Sequence, residues 1–234
     1  MFEANHLPAG VLNLVLGAGE AGAALTAHPD IDGVLFTGSV ATGRKVAAAA
    51  TVNLNPVVLE LGGKDAAIVD EGVDLKSVAQ DVALGAFLNS GQICASIELL
   101  YLHRAIAEEF LELLIAELAA YQPGGSMEIG PLVDRGQREI VHGHVSDALQ
   151  RGAQLLIGGE LPEGPGAYYP ITLVRDVDVS MLIRKEETFG PVLGIRVVPD
   201  FASAMEHAAS SKYGLAATVY TASDEHIRDA AGLP

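Results

Sequence analysis

Residues 34–64 read VLFTGSVATGRKVAAAATVNLNPVVLELGGK, and this stretch decides the fold. Val34 to Thr37 is a short apolar strand that runs into a glycine turn, Gly38-Ser39. An alanine-rich helix follows around Gly43 to Ala50, then a second strand, Val57 to Leu61, which ends at Gly62-Gly63. Strand, helix and strand in succession form a βαβ unit, so the sheet is expected to be parallel. The Gly38-Ser39 turn opens a helix, and backbone N–H groups at a helix start can hold an anion without a basic side chain. Upstream, Val11 to Leu16 (VLNLVL) reads as a further buried strand and Ala21 to Ala27 as a helix. Between them, Gly17-Ala18-Gly19-Glu20-Ala21-Gly22 satisfies G-x-G-x-x-G. A standard dinucleotide site needs an acid about 20 residues later at the end of the next strand. That strand ends at Thr37 with no acid. Three readings stay open for Gly19 and Gly22: a pyrophosphate site, a glycine turn that packs a helix, or a peripheral cofactor contact. This N-terminal block therefore predicts three strands, fewer than the five or six of a whole doubly wound domain.

Downstream the alternation continues. Ala66 to Val69 and Leu99 to Leu102 read as strands. Between them, Asp74 caps a helix carrying Val78, Val82, Phe87 and Leu88 that runs out at Asn89-Ser90-Gly91. Ile106 to Ala119 is an amphipathic helix with Phe110, Leu113, Leu114 and Leu118 at helical spacing. A loop is expected at Pro123 to Ser126, a helix at Ile140 to Arg151, and a strand at Leu155 to Ile157. Pro162 to Pro170 is a connection, and strands at Val192 to Val198 and Ala217 to Tyr220 flank a helix at Ala202 to Ser210. The boundaries expected are a partial cofactor-binding domain over 1–62 and a catalytic thiol domain over 63–234. Both ends look cut, which leads to the expectation of a fragment.

Half of the 234 residues are apolar and 19% are charged, a globular composition. No apolar run reaches the ~18 residues of a membrane span. The N-terminal MFEANHLPAG lacks Lys and Arg and does not read as a secretory signal. A net charge of −16 argues against nucleic acid and anionic membranes as partners. A cytoplasmic protein is expected. The single cysteine, Cys94, excludes an internal disulfide or a CxxC site. His142, His144 and Asp147 are spaced wrongly for one helix face, so no metal site is expected.

Three side chains carry candidate chemistry. Cys94 follows a polar, glycine-containing break in a helix, so it is either an inert buried thiol or a nucleophile. Glu60 ends an apolar strand; it is either ion-paired with Lys64 or a base raised by burial. Glu187, in Glu186-Glu187-Thr188-Phe189-Gly190-Pro191, sits in a turn that composition alone would call solvated.

Taken together, LPAGVLNLVLG, FTGS, LELGGK, FLNSGQICA, GPLVD, KEETFGPVL and YGLAATVYT resemble the aldehyde dehydrogenase superfamily in order and separation. The 34 residues from Glu60 to Cys94 make the most specific pair. The resemblance implies an aldehyde dehydrogenase-like α/β fold, with part of a Rossmann-type cofactor domain and an α/β catalytic domain. It implies Cys94 as nucleophile and Glu60 as general base. Glu187 would hold the nicotinamide ribose beside Phe189, Gly38 and Ser39 the pyrophosphate, and Leu61 a backbone contact to the nicotinamide. Gly19 and Gly22 would fall at the adenosine end. The expected reaction oxidises a small-molecule aldehyde to an acid with NAD or NADP, through a cysteine thiohemiacetal and thioester, in a homo-oligomer (dimer or tetramer). The family's oxyanion-hole asparagine would lie upstream of residue 1, so the alternative is a non-catalytic fragment serving as a binding or structural module. At Leu99, where the family usually has an arginine, the chain departs from the pattern.

Overall fold

The computed structural model describes residues 6–121, 127–164 and 166–232, in two units: Met1–Leu61 and Gly62–Pro234. The loop expected at Pro123 to Ser126 lies outside the described residues, as do residues 1–5 of the N-terminal run and the closing Leu233-Pro234.

The first unit holds helix α1 (Gly19–Thr26), strand β1 (Val34–Gly38), helix α2 (Val40–Thr51) and strand β2 (Val57–Leu61). β1 and β2 pair in parallel, with Val34 opposite Val57 and Gly38 opposite Leu61, so the βαβ unit forms as expected. Ser39 caps α2: its hydroxyl oxygen accepts the Thr42 N–H at 3.2 Å. α2 sits close on β2, because a Cβ at Gly43 would come within 2.5 Å of the Leu61 side chain. Two expectations fail here. The sheet has two strands rather than three, and Val11 to Leu16 is neither a strand nor buried, with Leu14 83% and Leu16 84% exposed. An apolar run becomes a strand only where another strand takes its N–H and C=O groups, and no described strand pairs with 11–16.

The second unit is built on a six-stranded sheet. Its strands are β3 (Asp65–Val69), β4 (Ile97–His103), β5 (Gln154–Ile157), β6 (Thr172–Arg175), β7 (Val192–Val198) and β8 (Ala217–Tyr220). The order is β5-β6-β7-β4-β3-β8, parallel throughout except for the antiparallel β5–β6 pair at one edge. Helices α3 (Leu75–Phe87), α4 (Ala107–Glu117), α5 (Arg135–Gln150), α6 (Leu182–Lys185), α7 (Phe201–Ala209) and α8 (Asp224–Ala231) complete it. The sheet is covered on both faces. Ala67 and Val69 of β3 join Leu100 and Leu102 of β4 in a core with α3 and α4. The alternate residues, Ala66, Ile68, Leu99 and Tyr101, pack with Val141 and Val145 of α5 and Phe201 of α7. Strands buried on both faces read as continuous apolar runs, which is why these were legible. Asp74 caps α3 as expected, accepting the Lys76 and Ser77 N–H groups. β6 and α6 carry no expectation from the sequence, and α5 starts five residues before the expected Ile140 because its first turn, Arg135 to Glu139, is polar. Among the described residues, no helix is long and apolar enough to cross a membrane.

Candidate active site

In the second unit, the chemistry-bearing segments converge at the amino-terminal ends of three adjacent parallel strands. Gly62-Gly63-Lys64 enters β3, the Cys94 turn enters β4, and the turn Glu187 to Pro191 enters β7. Ligands of open parallel sheets usually sit at the opposite, carboxyl ends.

Cys94 is exposed, in a turn closed by the Ser96 N–H donating to the Ile93 carbonyl at 2.9 Å. The turn is reached through three consecutive left-handed residues, Asn89, Ser90 and Gly91, with φ of 53°, 60° and 69°. Such conformations cost free energy in non-glycine residues and need fixing from outside. The Ser90 hydroxyl donates to the Gly130 carbonyl at 2.7 Å. The Gln92 amide accepts the Val133 N–H at 2.8 Å and donates to the Asn89 and Pro131 carbonyls. Downstream, the Ser96 hydroxyl ties the turn to the end of α3 through the Gly85 and Ala86 carbonyls. The buried reading of Cys94 is set aside by its exposure.

Gly63 is where Cys94 and Glu187 meet. Its N–H donates to Glu187 Oε1 at 3.2 Å, and a Cβ at Gly63 would lie 2.8 Å from the Cys94 carbonyl oxygen. A Cβ at Gly62 would overlap the Glu187 carboxylate itself. Two glycines thus let a carboxylate lie against the chain. Glu187 is half-buried, and burial, reinforced by the Glu98 charge, raises it above the usual carboxylate range, while the Gly63 N–H and Lys64 pull it down. It is no solvated turn residue.

The turn that carries Glu187 is held by side chains rather than by a sheet ladder. Glu98 of β4 accepts the N–H groups of Thr188 and Phe189, each at 2.8 Å, and the Lys64 ammonium. Lys64 also donates to the Thr188 hydroxyl at 3.0 Å, which lies 3.2 Å from His144 Nδ1. Gln137 donates to the Thr188 and Phe189 carbonyls at 2.9 and 3.1 Å. Burial pulls Lys64 below the ordinary lysine value, opposed by Glu98; burial and the Lys64 charge lower His144. Lys64 therefore pairs with Glu98, not with Glu60. The sequence reading missed this cluster, although a charge inside the apolar run of β4 was a usable signal, since a buried charge requires a partner. His142 instead meets the Tyr169 hydroxyl at 3.1 Å, and Asp147 pairs with Arg151 at 2.7 Å.

The remaining candidates lie in the first unit. Glu60 is exposed on β2, on the same face as Val58, so the burial expected for it is absent. Leu61 ends β2 beneath α2. Gly38 ends β1, and Ser39 is exposed at the start of α2, whose first N–H groups form a donor set that suits an anion. Gly19 and Gly22 are exposed on α1, Gly19 as its first residue.

The sequence pattern of the aldehyde dehydrogenase family matches residues 1–232. The chain is 41% identical over 222 residues to a chloroplastic betaine aldehyde dehydrogenase of Beta vulgaris, covering 92% of this chain and 44% of that protein. Its structure is similar to that of Escherichia coli lactaldehyde dehydrogenase, with TM-score 0.93 and 39% identity over 99% of this chain and 50% of that one. It is also similar to an indole-3-acetaldehyde dehydrogenase complexed with NAD+, with TM-score 0.89 and 33% identity over 94% of this chain and 46% of that one. The chain spans about half the length of the curated relatives it matches.

Proposed function

Because the chain belongs to the aldehyde dehydrogenase family, we propose that the protein carrying it oxidises an aldehyde to a carboxylic acid with NAD or NADP. The observation that carries this reading is the convergence of Cys94 and Glu187 on Gly63. An exposed thiol and a carboxylate cradled over glycine are the parts that a thiol-dependent, nicotinamide-dependent oxidation needs.

The residues fit a dinucleotide by donor chemistry. The free N–H groups after Gly38 and Ser39 suit a pyrophosphate. The Glu187 carboxylate, an acceptor resting on backbone, suits ribose hydroxyls, with Phe189 beside it. Leu61 would offer its backbone to the nicotinamide, and Gly19 and Gly22 the adenosine end. Residues 1–62 would then serve the cofactor and 63–234 the thiol chemistry. When bound, the nicotinamide supplies the acceptor for the aldehyde's hydride.

The chain's own steps follow from its residue types. The Cys94 thiolate adds to the aldehyde carbon, forming a C–S bond and a tetrahedral thiohemiacetal oxyanion. Loss of hydride from that carbon leaves a thioester on Cys94. Glu60 takes a proton from water as the water oxygen attacks the thioester carbon. The C–S bond breaks, the acid leaves, and the thiolate returns. An exposed, hydrated Glu60 on β2 is consistent with a base that works on water. A homo-oligomeric protein belongs to the same proposal, as does a cytoplasmic location, supported by an acidic chain with one free cysteine.

The test is Cys94→Ser, assayed for aldehyde-dependent cofactor reduction and for cofactor binding. Activity is expected to vanish while binding is retained. Turnover within about tenfold of wild type would remove Cys94 from the mechanism, since losing a nucleophile costs many factors of ten.

A further inference from the structure

Glu98 sits where a charge has no apparent reason to be. It is the second residue of β4, whose residues from Ile97 to Leu102 are all buried, and its own exposure is 3%. The partners named above belong almost entirely to one feature, the turn that carries Glu187 and Phe189. That turn needs them. Thr188 is fully buried, and Phe189 adopts a left-handed φ of 51°, which an aromatic residue does not choose unaided. Its amides precede β7, so no ladder satisfies them. One carboxylate takes both amides and one carboxamide takes both carbonyls. A buried amide left without an acceptor is costly, so the turn's shape depends on these two side chains.

We infer that Glu98, balanced by Lys64 and seconded by Gln137, is the positioning residue that aims Glu187 for cofactor binding. This rests on the proposed role of Glu187 at the ribose. Both Glu98 oxygens accept, and between them they face two amide donors and an ammonium, so only a carboxylate satisfies the site. Glutamine has the same shape, yet it turns an N–H₂ group toward one of those donors and leaves Lys64 uncompensated. Aspartate is one methylene short of the turn. The effect on catalysis is indirect: Glu98 touches the backbone of the turn and no reacting atom.

The test uses Glu98→Gln, Gln137→Ala, Glu187→Gln and the double variant Glu98→Gln/Glu187→Gln in the protein carrying this chain. NAD+ affinity is measured by calorimetry, and amide hydrogen exchange is followed at Thr188 and Phe189. Expected for Glu98→Gln are at least about tenfold loss of protection at those two amides and about tenfold weaker NAD+ binding. β7 amides should keep their protection. Glu187→Gln should weaken NAD+ on its own, and the double variant should be little worse than either single one, because both remove the same contact. Gln137→Ala should weaken NAD+ severalfold, and it decides the matter if Glu98→Gln does not fold. If Glu187→Gln weakens NAD+ while Glu98→Gln and Gln137→Ala leave it unchanged, the positioning role is wrong. If Glu187→Gln itself has no effect, the reading of Glu187 at the ribose is wrong and the inference falls with it.

Discussion

A single carboxylate at the start of β3 shows how position decides chemistry. Asp65 is buried, accepts the Ala216 N–H through Oδ1, and has no partner at Oδ2 among the described residues. Burial raises it to about 6, against the opposing pull of that N–H. A raised carboxyl penalises the folded state once it ionises, so the penalty is full above pH 6 and absent below the unfolded value near 4. Asp65→Asn is therefore expected to stabilise the protein at pH 7 by on the order of 1–2 kcal/mol. The gain should fade between pH 6 and 4 in parallel thermal melts of variant and wild type; a gain independent of pH would refute the burial argument. Glu60 lies in the opposite environment, exposed on β2. Glu60→Gln should slow thioester hydrolysis, so that rapid-mixing traces show a burst of reduced cofactor followed by slow turnover. A steady state without a burst, at an unchanged rate, would leave Glu60 outside the mechanism.

Among the elements, the break between α3 and β4 does the positioning, and glycine is used there for space as well as for conformation. At Gly91, φ is +69°, and a Cβ would overlap the Gly190 carbonyl on the turn before β7. Gly143, exposed in α5, would meet nothing within 4 Å. The two sites should respond to alanine with opposite signs. Gly143→Ala removes backbone freedom from the unfolded chain and should stabilise by about 0.5–1 kcal/mol. Gly91→Ala should destabilise by about 2–4 kcal/mol, combining left-handed strain with overpacking. Denaturant melts decide this; a tolerated Gly91→Ala would mean that the Cys94 and Glu187 turns are not in contact through Gly190.

On the scale of the whole molecule, the two units differ in how much they bury. α2 buries only Gly43, Val46 and Ala50, and α1 buries nothing. The two-stranded β1–β2 sheet is of a size that is marginal by itself. The second unit has apolar cores on both sheet faces. All six tyrosines, at 101, 121, 168, 169, 213 and 220, lie in the second unit, and the chain has no tryptophan. For residues 1–234, the far-ultraviolet helical signal is therefore expected to start falling at lower denaturant than the near-ultraviolet tyrosine signal. Coincident curves would show that both units unfold as one cooperative body.

Legibility followed the physics of each feature. Strands buried on both faces, such as β3, β4 and β7, are mostly apolar runs, broken only by single charges such as Glu98 and Arg196, and the helices between them carry their own caps and periodicity, so local residues were enough to read them. Cys94 and Glu60 stood out locally as candidates because each is an odd residue type at the end of an element, whereas Glu187, in a turn that composition alone would call solvated, stood out only through the family resemblance. Val11 to Leu16 misled because apolar character is local, whereas a strand also needs a neighbour to take its hydrogen bonds. The pairing of Lys64 with Glu98 rather than Glu60 could not be read locally, since β2 and β4 offer equally plausible carboxylates. Only the alignment of the β3, β4 and β7 starting points selects Glu98. The same alignment brings Glu187 over Gly63 across 124 residues of sequence. Sequence by itself determined which residues could do chemistry and which segments could form a sheet. Tertiary structure decided which of them meet, because strand order is settled by long-range pairing and double-sided burial rather than by any residue's neighbours along the chain.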